Sequence, residues 1–208
     1  MKIAIVGSGI AGLGAAYVLS RGHEVEVFEA APRIGGHVNT IDVGTHPVDT
    51  GFIVHTPRTY PLLTRLFAEL GVATQESVMS FSVECGCGVA WSSRRPLRAG
   101  RLLGEIVRFL RTAGDADAGG RSFDRFVAEE GYSDAFRWHY VVPMTSALWS
   151  AAPEDALAFP ASYAIDFFAN HGMLGLRRHR WRTVVGGSRA YVAALLARLP
   201  GPVHAATP

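Results

Sequence analysis

Three glycines and one acidic residue near the start of the chain carry the clearest chemical signal. Gly7, Gly9 and Gly12 form a G-x-G-x-x-G pattern, and Glu29 follows at the end of the next apolar run. In such a pattern the first glycine permits a tight turn, the second lets backbone approach a pyrophosphate, and the third lets a helix pack closely on a sheet. The amide groups at the start of that helix hold the anion, while the acid accepts hydrogen bonds from a ribose. These residues predict a dinucleotide site, and Glu29 disfavours NADP because the acid would face a 2′-phosphate.

The motif needs a strand before it and a helix after it, and the sequence predicts both. Ile3–Val6 is a short β-branched apolar run closed by glycine, which is typical of a buried parallel strand. The apolar spacing over Leu13–Arg21 predicts a helix, and Glu24–Phe28 predicts a second strand that delivers Glu29 at its carboxyl end. A plain strand–turn–helix without a ligand is the alternative. The complete βαβ-type half unit favours the nucleotide site.

The residues after Glu29 resemble a known family. The run Glu29–Thr40 resembles the E-x-x-x-R-x-G-G-R-x-x-T extension of the flavin-dependent amine oxidase, phytoene desaturase and protoporphyrinogen oxidase superfamily, including its uncharacterised NAD/FAD-binding amine-oxidase-like members. Val48–Phe52 resembles the V-D-x-G segment of that family, and Val185–Ser188 resembles its G-G turn. His37 stands where the family usually has Arg or Lys.

The resemblance implies FAD as the cofactor. In the family the double glycine and its neighbours lie against the diphosphate and the flavin, and the V-D-x-G segment passes by the isoalloxazine ring. The cofactor-binding residues that the motif and the resemblance predict are Gly7, Ser8, Gly9, Ala11, Gly12, Glu29, Arg33, Gly35, Gly36, His37, Gly51 and Phe52.

The predicted fold class is α/β, with a Rossmann-type FAD-binding domain and an inserted, mainly helical substrate domain. The resemblance assigns residues 1–76 and 183–208 to the FAD-binding domain and residues 77–182 to an incomplete substrate-binding domain. Family members continue with a further substrate-domain section and a second glycine-containing cofactor motif. The sequence is therefore expected to be an N-terminal portion of a longer protein, or a truncated product.

Local patterns predict the remaining elements. The predicted strands and hairpins are a hairpin over Ile41–Val48, a hairpin from Val78 turning at Gly86–Gly88, a strand Thr183–Val185 and the opening of a strand after Pro202. The predicted helices and loop are Pro57–Leu70, Pro96–Thr112, a flexible loop Ala113–Gly120, a helix capped by Ser122, a helix Asp134–Trp149 capped by Ser133 and broken at Pro143, and Arg189–Leu199.

Composition narrows the possible partners. The formal net charge of the 208 residues is +2, and the 20 basic residues, all arginine except Lys2, are spread along the chain and nearly balanced by 18 acids. No nucleic-acid partner is expected. The dense cluster Arg177–Arg182 favours a solvated linker over a nucleic-acid surface. No apolar run is long enough to span a bilayer, although the basic helix Pro96–Thr112 leaves peripheral membrane contact open. No leader precedes the first strand, so a cytoplasmic location is expected.

Two cysteines, a histidine and an aspartate are further candidates for chemical roles. Cys85 and Cys87 form C-G-C, and no further ligand lies near them in sequence, so reduced structural thiols are predicted and no metal site is expected. His55 and Tyr60 lie at the entry of a helix, where packing is favoured over catalysis. Asp49 fits either a polar orienter near the flavin or a turn-stabilising aspartate.

The resemblance implies an FAD-dependent oxidoreductase that oxidises a C–H bond of a hydrophobic or amine small molecule by hydride transfer to flavin. Aromatic residues between Phe136 and Phe168 fit a helical core and a hydrophobic substrate tunnel equally well. Lys2, the only lysine, lies in the first strand, so the lysine-assisted mechanism of amine oxidases is unsupported, and no catalytic residue is assigned. A non-redox flavin isomerase of the sugar-mutase type and a catalytically silent FAD-binding fragment or partner subunit are the alternatives. The oligomeric state is left open.

Overall fold

The computed structural model describes residues 1–175 and 179–207. It divides into two compact units. We call Met1–Val78 together with the described residues from Arg180 onward the terminal unit, and the described part of Met79–His179 the inserted unit. The functions that the sequence assigns to these two parts stay predictions.

The elements follow one another in a mixed α/β order. In chain order the strands are β1 (Lys2–Val6), β2 (Glu24–Phe28), β3 (Thr40–Val43), β4 (His46–Asp49), β5 (Thr74–Ser77), β6 (Ser82–Glu84), β7 (Ala90–Ser92), β8 (Trp181–Val184) and β9 (Val203–His204). The α-helices are α1 (Ile10–Leu19), α2 (Pro61–Leu70), α3 (Leu102–Thr112), α4 (Phe123–Glu129), α5 (Asp134–Phe136), α6 (Val142–Trp149), α7 (Pro153–Ala158), α8 (Ala161–Asn170) and α9 (Arg189–Leu196).

A parallel sheet in the order β1-β2-β9 forms the centre of the terminal unit. β1 and β2 pair in parallel from Lys2↔Glu24 to Val6↔Phe28, and β9 joins the other edge of β2. Val25 and Val27 of β2 pack with Ala16 of α1. Because the strands are parallel, the loop after β1 and Glu29 after β2 lie at the same edge of the sheet.

A second cluster of apolar side chains joins α1, α2 and α9 within the terminal unit. It contains Leu13, Phe67, Val184, Tyr191 and Leu195, each almost completely buried. The β3–β4 hairpin forms as predicted. β5 was not predicted; its residues Thr74–Ser77 pair antiparallel with β8, from Thr74↔Val184 to Ser77↔Trp181.

The inserted unit is a helical bundle with one hairpin and an aromatic core. β6 and β7 pair antiparallel on either side of the predicted Gly86–Gly88 turn. Aromatic side chains from five helical segments are at most 6% exposed and pack on one another, namely Phe109, Phe123, Phe126, Phe136, Tyr140 and Phe168. The Phe136 and Tyr140 rings, for example, stack at 5.0 Å. These rings fill a core. Of the two interpretations of the aromatic residues, helical core and substrate tunnel, this packing matches the core.

Several predicted helix boundaries are wrong, and glycine or proline explains two of them. The predicted helix Pro96–Thr112 is a 3₁₀ turn Pro96–Ala99 followed by α3, because Gly100 adopts φ 55° between them. The predicted helix Asp134–Trp149 contains a π-helical turn, Arg137–Val141, directly before the segment that carries Pro143. Proline cannot donate to the carbonyl four residues earlier, so the regular ladder is interrupted there.

The remaining differences concern ends and loops. α1 begins three residues before the predicted Leu13, α2 begins at Pro61 instead of Pro57, and α9 ends at Leu196 instead of Leu199. The segment predicted as a flexible loop, Ala113–Gly120, starts with a 3₁₀ turn and buries Ala113 and Ala118. Ser122 caps α4 as predicted, since its Oγ accepts from the Arg125 N–H at 3.2 Å. Of the predicted linker Arg177–Arg182, Arg177 and Arg178 lie outside the described residues, and Trp181 and Arg182 belong to β8. No helix among the described residues is long and apolar enough to cross a bilayer.

Candidate functional site

The three motif glycines occupy three different geometries at the carboxyl end of β1. Gly7 turns the chain with φ 95°, and its N–H donates to the Phe28 carbonyl at 2.7 Å. Gly9 precedes α1 in an ordinary extended conformation, and a Cβ placed on it would meet nothing within 4 Å. A Cβ on Gly12 would overlap the Gly7 carbonyl oxygen. The first glycine therefore makes the turn, the second leaves open space, and the third permits helix–strand contact.

The start of α1 carries positive electrostatic potential. Among the described residues no side chain caps this helix end, and the first turn of the helix contains no acidic residue. The first amide groups of an α-helix have no acceptor within the helix, and the helix dipole adds partial positive charge there. The end of α1 next to Gly9 is therefore suited to a phosphate group. Ala11, another predicted site residue, is exposed in this first turn.

Glu29 is an ionised acid fixed by the glycine loop. Its Oε2 accepts from the Ser8 backbone N–H at 2.8 Å and from the Ser8 hydroxyl at 2.6 Å, and its Oε1 accepts from the Ala31 N–H at 2.9 Å. The Ser8 hydroxyl bond, followed by the backbone donors, lowers the pKa of Glu29 to about 2. A carboxylate held as an anion can accept hydrogen bonds from the hydroxyl groups of a ribose.

Ser8 also joins this loop to the double-glycine turn. The fully buried Ser8 hydroxyl accepts from the Gly35 N–H at 3.0 Å. Gly36 has φ 58°, and a Cβ on it would lie 2.9 Å from the Gly9 Cα. The predicted E-x-x-x-R-x-G-G extension therefore folds directly onto the glycine loop.

Arg33 holds the double-glycine turn in shape. Its guanidinium donates to the Val38 carbonyl at 2.7 Å and to the Gly36 carbonyl at 2.6 Å. His37 is exposed beyond the turn, and a Cβ on Gly51 would overlap the His37 carbonyl oxygen. The structure thus brings the V-D-x-G segment against the double-glycine turn.

Phe52 and His55 each pack against an aromatic side chain of the terminal unit. Phe52, the last predicted site residue, is half-buried, and its ring meets Tyr60 edge-on at 5.9 Å. His55 is 1% exposed, and its ring packs against Phe67 at 5.2 Å. Burial, followed by the nearby Arg182, lowers the pKa of His55. A buried neutral histidine against a phenylalanine matches the predicted packing role.

Asp49 is hydrogen-bonded to Ser188, which lies 139 positions later in the sequence. Its carboxylate accepts from the Ser188 N–H at 2.8 Å, from the Ser188 hydroxyl at 2.9 Å and from the Thr40 hydroxyl at 2.5 Å. Ser188 is fully buried. Of the two interpretations given for Asp49, the structure supports turn stabilisation, because these donors tie the V-D-x-G segment to the G-G-S turn.

Two backbone groups near the site were missed by sequence reasoning. The Thr207 N–H donates to the Glu29 carbonyl at 2.9 Å, and the Ala206 N–H donates to the Ala31 carbonyl at 3.0 Å. Ala206 has φ 52°. The chain after β9 therefore passes beside Glu29. Backbone contacts of this kind leave no residue-type signal in a sequence.

The other end of the sheet lacks these features. Lys2 begins β1 and pairs with Glu24 at 3.3 Å, at the amino ends of the strands. A hollow of about 670 Å³ lies there, lined by Met1, Lys2, Arg21, His23 and Glu24 among others. Nucleotides bind parallel sheets at the carboxyl ends of the strands. We therefore place the candidate site at the glycine loop, and Lys2 lies at the opposite end of its strand.

Comparison with known proteins supports this assignment. Residues 5–70 match the family model described as NAD(P)-binding Rossmann-like domain. The chain is 55% identical over 40 residues to an L-amino-acid oxidase of Pseudechis australis, which covers 19% of this chain and 8% of that protein. It is 44% identical over 75 residues to AofH of Mycobacterium tuberculosis (strain CDC 1551 / Oshkosh), named as a flavin-containing monoamine oxidase, covering 36% and 16% of the two chains.

A solved structure matches along the whole chain. A redesigned putrescine oxidase variant superposes with a TM-score of 0.69 at 20% identity, covering 100% of this chain and 51% of that one. At this identity the match shows the fold alone. The predicted fold class and the predicted resemblance to the amine oxidase superfamily are confirmed. The chain spans about half the length of that structure.

Proposed function

We propose that the chain is the FAD-binding portion of a flavin-dependent oxidoreductase. When bound, FAD would supply the hydride-accepting chemistry for oxidising a C–H bond of a hydrophobic or amine substrate, with oxygen or another acceptor taking the electrons. The residues of this chain supply binding, orientation and electrostatics.

One observation carries the proposal. Three features occur together at the carboxyl ends of the parallel strands. They are the ionised Glu29, the start of α1, which no described side chain caps, and the open space at Gly9. Each answers one part of a dinucleotide, since the helix amides suit a diphosphate and Glu29 suits an adenosine ribose. The negative charge of Glu29 disfavours a 2′-phosphate.

The double-glycine turn supports FAD over NAD. Gly35 and Gly36 lie against the glycine loop through Ser8 and Gly9, so this extension belongs to the same site. In the superfamily that the sequence resembles, this extension contacts the FAD diphosphate and the flavin. The predicted contacts of Gly35, Gly36, His37, Gly51 and Phe52 remain part of this proposal. Arg33 acts on the cofactor through the turn that it holds.

The substrate class rests on the relatives and on the resemblance. The aromatic rings of the inserted unit pack on one another, so their number is no argument for a hydrophobic substrate tunnel. Lys2 is paired with Glu24 at the other end of β1, so it is not proposed as a catalytic residue. The chain spans about half of a matching solved structure. The oxidoreductase activity is therefore proposed for the whole protein.

The proposal is tested by loading the purified chain with FAD, removing free cofactor and recording the flavin absorption that remains. The wild type is expected to retain flavin. Glu29→Gln is expected to weaken binding by about 10- to 100-fold, because a hydrogen bond to a charged group contributes about 1.5–3 kcal/mol. Glu24→Gln, at the amino end of the same strand, is the matched control and is expected to bind like the wild type.

Two results would argue against this function. Equal flavin retention by Glu29→Gln and wild type, with both folded by circular dichroism, would remove Glu29 from the site. Retention of NADP in preference to FAD would contradict the assigned cofactor, since an ionised Glu29 should repel the extra phosphate.

A further inference from the structure

The inserted unit carries two thiols at the tip of its β6–β7 hairpin. The Cys85 N–H donates to the Val89 carbonyl at 2.9 Å, and the Gly88 N–H donates to the Cys85 carbonyl at 2.9 Å. Backbone hydrogen bonds therefore close the turn that contains Cys85 and Cys87. Both thiols are free, with Cys85 half-buried and Cys87 exposed.

A histidine from a distant part of the sequence lies beside this turn. His139 belongs to the π-helical turn Arg137–Val141, and its Nε2 lies 3.7 Å from the Cys87 Sγ. Single π-helical turns inside α-helices occur often at functional sites. The sequence shows no further ligand near the cysteines, but the fold brings His139 next to them. The expectation that no metal ligand lies nearby is therefore wrong.

The hairpin itself fixes the histidine backbone. Pro143 has no N–H to donate to the His139 carbonyl, and the Trp91 Nε1–H donates to that carbonyl instead, at 2.9 Å. The Trp91 and Tyr140 rings stack at 5.8 Å, and each residue is 6% exposed. His139 is thus anchored by a buried tryptophan of the same hairpin that carries the thiols.

The three side chains have the spacing of a metal site. One ligand atom each from Cys85, Cys87 and His139 lies within 4.8 Å of the others. Tetrahedral zinc with bonds of about 2.3 Å to sulfur and 2.0 Å to nitrogen requires these ligand atoms to lie about 3.5–3.8 Å apart. Shifts of about 1 Å would bring all three atoms onto one ion. The Cys87 N–H donates to the Cys85 Sγ at 3.3 Å, which favours the thiolate that a metal needs.

We propose that Cys85, Cys87 and His139 bind a zinc ion. Thiolate and imidazole together suit zinc, and magnesium or calcium would require oxygen ligands. Three protein ligands leave the fourth tetrahedral position to water or to an added ligand. Since Cys87 and His139 are 52 positions apart, the ion would join the hairpin to the helical segment.

The test uses the whole chain, purified without a tag, fully reduced and stripped of metal. Zinc is expected to bind at one ion per chain and to raise the melting temperature. Cobalt(II) is used as a visible probe and is expected to give thiolate charge-transfer absorption with the bands of a tetrahedral ion. Cys85→Ser, Cys87→Ser and His139→Gln are each expected to weaken zinc binding by about 100-fold or more, since even indirect partners of a metal contribute 10–100-fold. His46→Gln, an exposed histidine of β4, is the matched control.

The outcomes are distinct. Loss of cobalt thiolate absorption in both cysteine variants and reduced affinity in His139→Gln support the site. No zinc uptake by the reduced wild type overturns it, as does uptake that all three variants retain. A Cys85–Cys87 disulfide before reduction, with no zinc uptake after reduction, would assign the turn to thiol chemistry and would also overturn the proposal. Circular dichroism of each variant separates lost binding from lost folding.

Discussion

The glycine loop of the terminal unit and the thiol–histidine cluster of the inserted unit are built in opposite ways. The glycine loop depends on side chains that are missing, because a Cβ on Gly12 would overlap the Gly7 carbonyl and Gly9 must leave its space open. The cluster depends on side chains that are present, because it consists of two sulfurs and one imidazole nitrogen. Adding atoms should damage the first region, and removing atoms should damage the second.

The first region offers the largest expected effect. Gly12→Val should destabilise the fold by about 3 kcal/mol, since atoms forced into a packed contact cost 1–3 kcal/mol and backbone cannot move as a side chain can. Gly14→Ala in the same helix is the matched control, because its Cβ would meet nothing within 4 Å. The control should be more stable than the wild type by about 0.5–1 kcal/mol. Urea unfolding measures both, and equal effects of the two variants would show that the close contact at Gly12 is absent.

The second region should respond to the loss of one N–H group. Trp91→Phe keeps an aromatic ring in the core but removes the donor to the His139 carbonyl. A loss of about 1 kcal/mol is expected for one hydrogen bond. Trp138→Phe, at a residue that is 46% exposed in the same π-helical turn, should change the free energy of unfolding by less than about 0.5 kcal/mol. If the two variants have the same stability, Trp91 does not anchor this turn.

The smallest effect concerns pH and returns to the glycine loop. The folded pKa of Glu29 is about 2, below its ordinary value of 4.5. A lowered acid pKa contributes stability above the unfolded value, and this contribution is lost as pH falls through the folded value. The melting temperatures of wild type and Glu29→Gln should therefore differ at neutral pH and converge between pH 4.5 and about 2. A constant difference across that window would mean that the Ser8 contacts do not favour the ionised acid.

The same contrast explains what the sequence could predict. Gly7, Gly9, Gly12 and Glu29 lie in one short stretch, and their roles follow from backbone conformation and strand order, so the motif predicted the fold of this region. The relatives and the matching structure confirm that fold class. The residue-by-residue contacts with FAD stay predictions.

Features that depend on distant partners were not predicted. β5 has the polar sequence Thr74–Ser77 with no apolar alternation, and it forms a strand because β8 pairs with it. The division of Pro96–Thr112 depends on the φ of 55° at Gly100, and glycine can also remain helical. His139 meets Cys87 across 52 positions of the chain, and Trp91 contacts the His139 carbonyl across 48 positions. Residue types and spacing carry no record of such contacts.

Equilibrium dialysis of FAD against wild type, Gly9→Val and Gly14→Ala tests the central claim most directly. Gly9 has an ordinary backbone conformation, and a Cβ on it would meet nothing within 4 Å, so Gly9→Val should still fold. The account predicts that wild type and Gly14→Ala bind FAD, and that Gly9→Val loses it because valine fills the space of the diphosphate. FAD binding by folded Gly9→Val with wild-type affinity, or no binding by the folded wild type, would contradict the assignment of this loop as the cofactor site.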